Sequence, residues 1–116
     1  MSELGVDRME RALERRLREV TGAAPVTERE LRTLAEKGDA WARTLEGLVA
    51  ASERRLGALG ADPQSSLATF AEEIARAERL RRERDELQIL LRELDTRART
   101  LRTSWLAHQA SSGRAG

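Results

Sequence analysis

Residues 63–108 read PQSSLATFAEEIARAERLRRERDELQILLRELDTRARTLRTSWLAH, with no glycine and no proline after Pro63. A breaker-free stretch of this length is a single helix, on the order of 65–70 Å long at 1.5 Å per residue, well beyond an ordinary globular helix. Its apolar stripe is Leu67, Phe70, Ile74, Ala77, Leu80, Arg84, Leu87, Leu91, Leu94, Ala98, Leu101, Trp105 and His108. The steps alternate between three and four, the seam of a coiled coil. Two consecutive steps of three, from Ile74 through Ala77 to Leu80, locally overwind it. One charged residue, Arg84, falls on the seam. The small, polar residues 109–116 are expected to lie outside the helix as a disordered tail.

Working backward, Asp62 followed by Pro63 reads as an N-cap with proline at the first helical position. A helix over about 28–59 precedes it. Thr27 is its N-cap and Glu30, three residues on, completes a capping box, with Val26 and Leu31 placed for a hydrophobic staple. Its heptad runs through Leu31, Leu34, Gly38, Trp41, Leu45, Leu48, Ser52 and Leu59. Gly57 and Gly60 mark its end. Gly38-Asp39 either breaks this helix or marks a close approach of a neighbouring one. A first helix, about 3–21, carries Val6, Met9, Leu13, Leu17 and Val20 on one face, and Gly22 and Pro25 stop it. No alternation suggests a strand. The expected fold is therefore all-α: an elongated antiparallel three-helix coiled-coil bundle with one very long C-terminal helix, forming a single domain over 1–108.

Composition narrows the functional class. Of 116 residues, 35% are charged and 3% aromatic, with 21 basic and 20 acidic side chains giving a net charge of +1. Interleaved charges of balanced sign hold little attraction for a polyanion. The densest basic run, Arg76, Arg79, Arg81, Arg82 and Arg84, is threaded with Glu78, Glu83, Asp85 and Glu86, so nucleic acid is not an expected partner. No apolar run approaches a membrane span, and the charged first turns hold no signal-peptide core. Cysteine is absent, which removes thiolate metal sites and fits a reducing, intracellular location, cytoplasmic or nuclear.

Catalytic constellations are not expected. His108 is the only histidine; Ser104 lies one turn before it, but no acid is placed to orient the pair. Glu72-Glu73 and Asp85-Glu86 are adjacent on a helix and point about 100° apart. No phosphate-cradling glycine loop and no E-x-x-H pattern occur. No cofactor, metal or small-molecule substrate is expected.

The lengths point to a protein partner. Short loops make consecutive helices antiparallel, so the second helix should cover the third from about Pro63 to Asp95. Beyond Thr96 the seam would run out uncovered. Ala98, Leu101 and Trp105 on that projecting segment, with Leu91 and Leu94 leading into it, are the expected partner-binding residues, in a homo- or hetero-oligomer. Arg84 is a register or specificity device, or a side chain whose head snorkels to water. The architecture is similar to small three-helix subunits of cytoskeletal, trafficking and chromosome-attachment complexes. The stretch from Leu34 to Trp41 loosely resembles a leucine-alanine-x-x-glycine-acid-tryptophan turn of flagellar export chaperones, departing from it by Ala40 before the tryptophan. The expected function is a non-enzymatic subunit or adaptor binding through helix packing. The alternative, which the resemblance implies, is a chaperone masking a client's amphipathic segment.

Overall fold

The computed structural model describes the backbone of residues 2–115 and the side chains of residues 10–113. It is all-α, with three helices: α1 (Ser2–Thr21), α2 (Glu28–Ala61) and α3 (Leu67–Ala115). The C-terminal helix is the longest, at 49 residues. Val6 and Met9 of the α1 stripe lie outside the described side chains. The chain divides into two compact units, Met1–Gly38 with Ile89–Gly116, and Asp39–Gln88.

The first unit packs parts of all three helices. Leu17 and Val20 of α1, Leu31 and Leu34 of α2, and Leu90, Leu94 and Ala98 of α3 form its core. A Schellman motif closes α1. The Ala24 N–H donates to the Glu19 carbonyl (2.9 Å) and the Ala23 N–H to that of Val20 (3.2 Å). The left-handed residue in this motif is Ala23 (φ 78°), not Gly22, which sits one position too early to take that role. Arg97 of α3 reaches across to this turn, its Nη2 donating to the Ala24 carbonyl (3.2 Å).

The α2 cap forms only in part as a capping box. The Glu30 N–H donates to Thr27 Oγ1 (3.1 Å). The Glu30 carboxylate, however, turns to α1 and accepts from Arg16 Nε (2.8 Å) and Nη2 (2.6 Å). This fork-shaped pair ties α1 to α2, and a charge-assisted bidentate bond outcompetes the return bond to the Thr27 backbone. It holds the Glu30 carboxyl below its ordinary pKa and the Arg16 guanidinium above its own.

No break occurs at Gly38-Asp39, and the Leu34–Trp41 stretch is continuous helix rather than a turn. Gly38 is buried, and a Cβ there would collide with the Leu91 Cδ2 methyl. Close approach of α3 is therefore the reason for this glycine.

In the second unit α2 and α3 run antiparallel around Leu45, Val49, Ser52, Ala77 and Leu87. Ser52 is fully buried and donates to Glu73 Oε1 (2.6 Å), which also accepts from Arg55 Nε (3.0 Å). These two donors, Ser52 first, lower the Glu73 carboxyl's pKa.

The connection between α2 and α3 departs from the sequence reading. α2 continues through Gly57 and Gly60 to Ala61, and α3 begins at Leu67 rather than Pro63. Asp62 is not the α3 cap, because its side chain accepts from the Gln64 N–H (2.9 Å) in a turn. Ser65 Oγ donates to the Leu59 carbonyl (2.7 Å), so these residues finish α2 instead of starting α3. Ser66 is the true cap, accepting from the Thr69 N–H (3.1 Å). Leu67, expected in the core, is the first residue of α3 and 88% exposed; Ile74, also on the expected stripe, is exposed too. At its far end α3 continues past His108 through the residues expected to form a tail, since Ala107 and Ala110 favour helix and no breaker intervenes before Gly113.

Candidate protein-interaction surface

The later start of α3 changes which part of its seam is sheltered. Glu28, at the start of α2, pairs with Arg102 (3.0 Å), so cover extends further along α3 than Asp95. Of the expected partner-binding residues, Leu94 (2% exposed) and Ala98 (7%) are buried within their own unit. They hold the fold together and present nothing to a partner. Leu91 is half-buried, packed towards Gly38. Leu101 is half-buried at the margin of cover. Trp105 is 59% exposed. The uncovered seam therefore begins after Leu101, not at Thr96, because Glu28 and Leu31 at the start of α2 lie beside Leu101 and Arg102.

Past that margin every described residue from Arg102 to Gly113 is exposed. The heptad steps that bury Leu94 and Ala98 continue unchanged through Leu101 to Trp105, His108 and Ser112. Leu106, 60% exposed beside Trp105, widens this apolar edge. It lies off the three-four seam, which is why periodicity alone overlooked it. Large side chains left wet in this way forgo roughly 1.5–3 kcal/mol each relative to burial.

A groove of about 620 Å³ opens at the same place, lined by Val26, Leu31, Leu101 and Trp105 and flanked by the Glu28–Arg102 ion pair. Val26 and Leu31 were legible as a hydrophobic staple. Their role as one wall of a groove is not, because the opposite wall lies seventy residues away in sequence.

The other singled-out residues form no comparable site. Arg84 reaches Asp85 (3.1 Å) and Glu46 of α2 (3.9 Å), so its charge leaves the seam sideways and links the two helices. Arg81 pairs with Glu53 of α2 (3.1 Å). Arg76 and Arg79 line a shallow depression together with Glu72 and Glu73, so the basic run faces solvent with both signs of charge. Ser104 and His108 are exposed on the free turns of α3. Glu73 is engaged by Ser52 and Arg55, which separates it in environment from Glu72. Among the described residues no cluster of three His, Cys, Asp or Glu could hold a metal ion, and no helix is long and apolar enough to cross a membrane.

Comparison with protein-family models, with curated proteins and with solved structures finds no match to this chain. The reading of its function rests on the surface just described.

Proposed function

We propose that this chain is a non-enzymatic helical subunit or adaptor that binds another polypeptide by helix packing at the free end of α3. One observation carries the reading: a core seam runs without interruption from buried Leu94 and Ala98 to exposed Trp105, with Leu106 exposed beside it. Tryptophan in such a position is the side chain that most often dominates a protein interface. Contiguous apolar surface on a chain otherwise rich in charge marks association. The function requires no cofactor.

The groove between Val26, Leu31 and Leu101 favours a second reading, in which a client's amphipathic helix is sheltered there as by a chaperone. Both readings bring Trp105 into the contact, since it also lines the groove.

The test is a photo-crosslinking side chain placed at Trp105 or Leu106 in living source cells, with exposed Arg54 of the second unit as the control position. Adducts to a polypeptide are expected at 105 and 106 and not at 54. Absence of any polypeptide adduct at 105 and 106 would refute the reading.

A further inference from the structure

The connection between α1 and α2, Gly22 to Thr27, is six residues long and carries two local costs. Ala23 holds a left-handed backbone at φ 78°, which an alanine adopts only under constraint. Arg97 of α3 donates from Nη2 to the Ala24 carbonyl (3.2 Å), and in that position its Nε is buried without an acceptor, a penalty for a charged donor. Strain in a short connection invites exchange of the element it carries. We infer that α1 exchanges between copies: the connection opens, and α1 of each chain packs on α2 and α3 of a second copy, closing a two-fold dimer.

The occupant is fixed by what already sits on that face. Leu17 and Val20 of α1 are fully buried in a core with Leu31, Leu34, Leu90, Leu94 and Ala98. Beside them Arg16 Nε and Nη2 fork the Glu30 carboxylate (2.8 and 2.6 Å). The α1 of a second copy presents the same side chains at the same spacing, so each of these contacts reforms between chains. A foreign helix would have to match both the apolar pair and the arginine that precedes it.

The closed and exchanged forms therefore differ only at the connection. Opening releases Ala23 to an ordinary extended backbone. It also withdraws the Ala24 carbonyl from Arg97, whose guanidinium is then free to turn to Glu93, four residues earlier on the same helix. Against these gains stand bonds that only the closed turn makes: the Ala23 N–H to the Val20 carbonyl, the Ala24 N–H to that of Glu19, and Arg16 Nη2 to that of Pro25. Ala23 and Pro25 are exposed and Ala24 is half-buried, so water takes over these groups at small net loss. Pro25 shapes the open form, because it lacks an N–H and disfavours helix at Ala24. The opened connection is an extended arm and not a fusion of α1 with α2. Six extended residues reach about 20 Å, roughly two helix diameters, which carries α1 across to a neighbour.

A short tether holds α1 on its own copy with an effective concentration on the order of mM. Relief of Ala23 at both connections of a dimer favours exchange by about tenfold. The dimer should accordingly form with a Kd on the order of 100 μM.

Sedimentation equilibrium of the full chain from about 10 μM to about 1 mM tests this. The mass should rise from 13.0 kDa towards twice that value. Ala23→Gly lets the turn close without strain and should weaken the dimer about tenfold. Trp105→Glu should leave it unchanged, because exchange makes no use of the free end of α3. Charge reversal supplies the sharpest arm. Arg16→Glu and Glu30→Arg each set like charges together, whether α1 lies on its own copy or on an identical one. Both leave Leu17 and Val20 in place. In an exchanged heterodimer of the two variants, both contacts pair opposite charges. Unfolded together in urea and refolded, they should give heterodimer well above the half expected of random pairing, read by native mass spectrometry. The inference is overturned by a wild-type chain that stays at one chain mass throughout, by Ala23→Gly dimerising like wild type, by loss of the dimer in Trp105→Glu, or by a refolded mixture with no excess of heterodimer. The proposed function is tested separately, by adducts from positions 105 and 106, and neither result bears on the other.

Discussion

Three glycines in α2 provide an internal comparison that tests the packing of the first unit. A Cβ added at Gly47 or Gly57 meets nothing within 4 Å, whereas one added at Gly38 runs into Leu91 Cδ2. In a helix interior, glycine costs about 0.5–1 kcal/mol relative to alanine. Gly47→Ala and Gly57→Ala should therefore each stabilise by about that amount. Gly38→Ala gains the same propensity term, but Leu91 must leave its rotamer or α3 must move away. Overpacking of this kind costs typically about 1–3 kcal/mol. The net effect is a loss of about 0–2 kcal/mol, leaving Gly38→Ala about 1–3 kcal/mol less stable than Gly47→Ala. Urea unfolding followed by far-ultraviolet circular dichroism measures this. The midpoints should separate with the slope unchanged. In a Leu91→Ala background the obstruction is gone, and Gly38→Ala should become stabilising, a coupling that a double-mutant cycle reads directly. If Gly38→Ala raises stability as much as Gly47→Ala in the wild-type background, the close approach of α3 to α2 at this position is wrong.

Further outcomes follow from the caps and carboxylates. Ala23→Gly should stabilise by about 0.5–1 kcal/mol, since it relieves the left-handed strain at φ 78° and gives back part of the gain as unfolded-chain entropy; a thermal melt showing a loss would contradict the Schellman assignment. Thr27→Ala should cost about 1 kcal/mol by removing the α2 cap, whereas Thr27→Ser should be nearly neutral in the same melt. The pH dependence has a definite sign. Glu30 and Glu73 both titrate below the ordinary value of 4.5. The stability they contribute is complete above about pH 4.5 and is lost as pH falls through their lower folded values. Melting temperatures should fall in that acid range, and Arg16→Gln should flatten the part belonging to Glu30. Ser52→Ala should raise the Glu73 pKa in a carboxyl-detected NMR titration; an unmoved value would show that the buried hydroxyl does not donate to it.

The contrast between Thr27 and Asp62 shows how far local reading extends. Thr27 was recognised as a cap because its acceptor and the amide it serves are three residues apart, and that bond forms. Asp62-Pro63 offered an equally good local signal, yet Asp62 accepts from Gln64 and Ser65 closes on Leu59. Two local solutions compete there, and the one that also satisfies the end of α2 prevails. The candidate surface was legible in kind, as a seam longer than its cover, with Trp105 on it, and Trp105 is exposed. Its extent was not, because cover reaches as far as Arg102, opposite Glu28, and so takes in Ala98.

By itself the sequence determined that this chain is helical, where α1 and α2 begin and end to within two residues, and that its apolar seam outruns its shelter. Those properties depend on spacing and capping, whose interactions span a turn or two of backbone. Only the tertiary structure decided which residues the seam exposes, that Leu106 joins Trp105, and that Val26 and Leu31 form a groove with Leu101. Those depend on the register and rotation of one helix against another, which a loop of a few residues resets and no local pattern encodes.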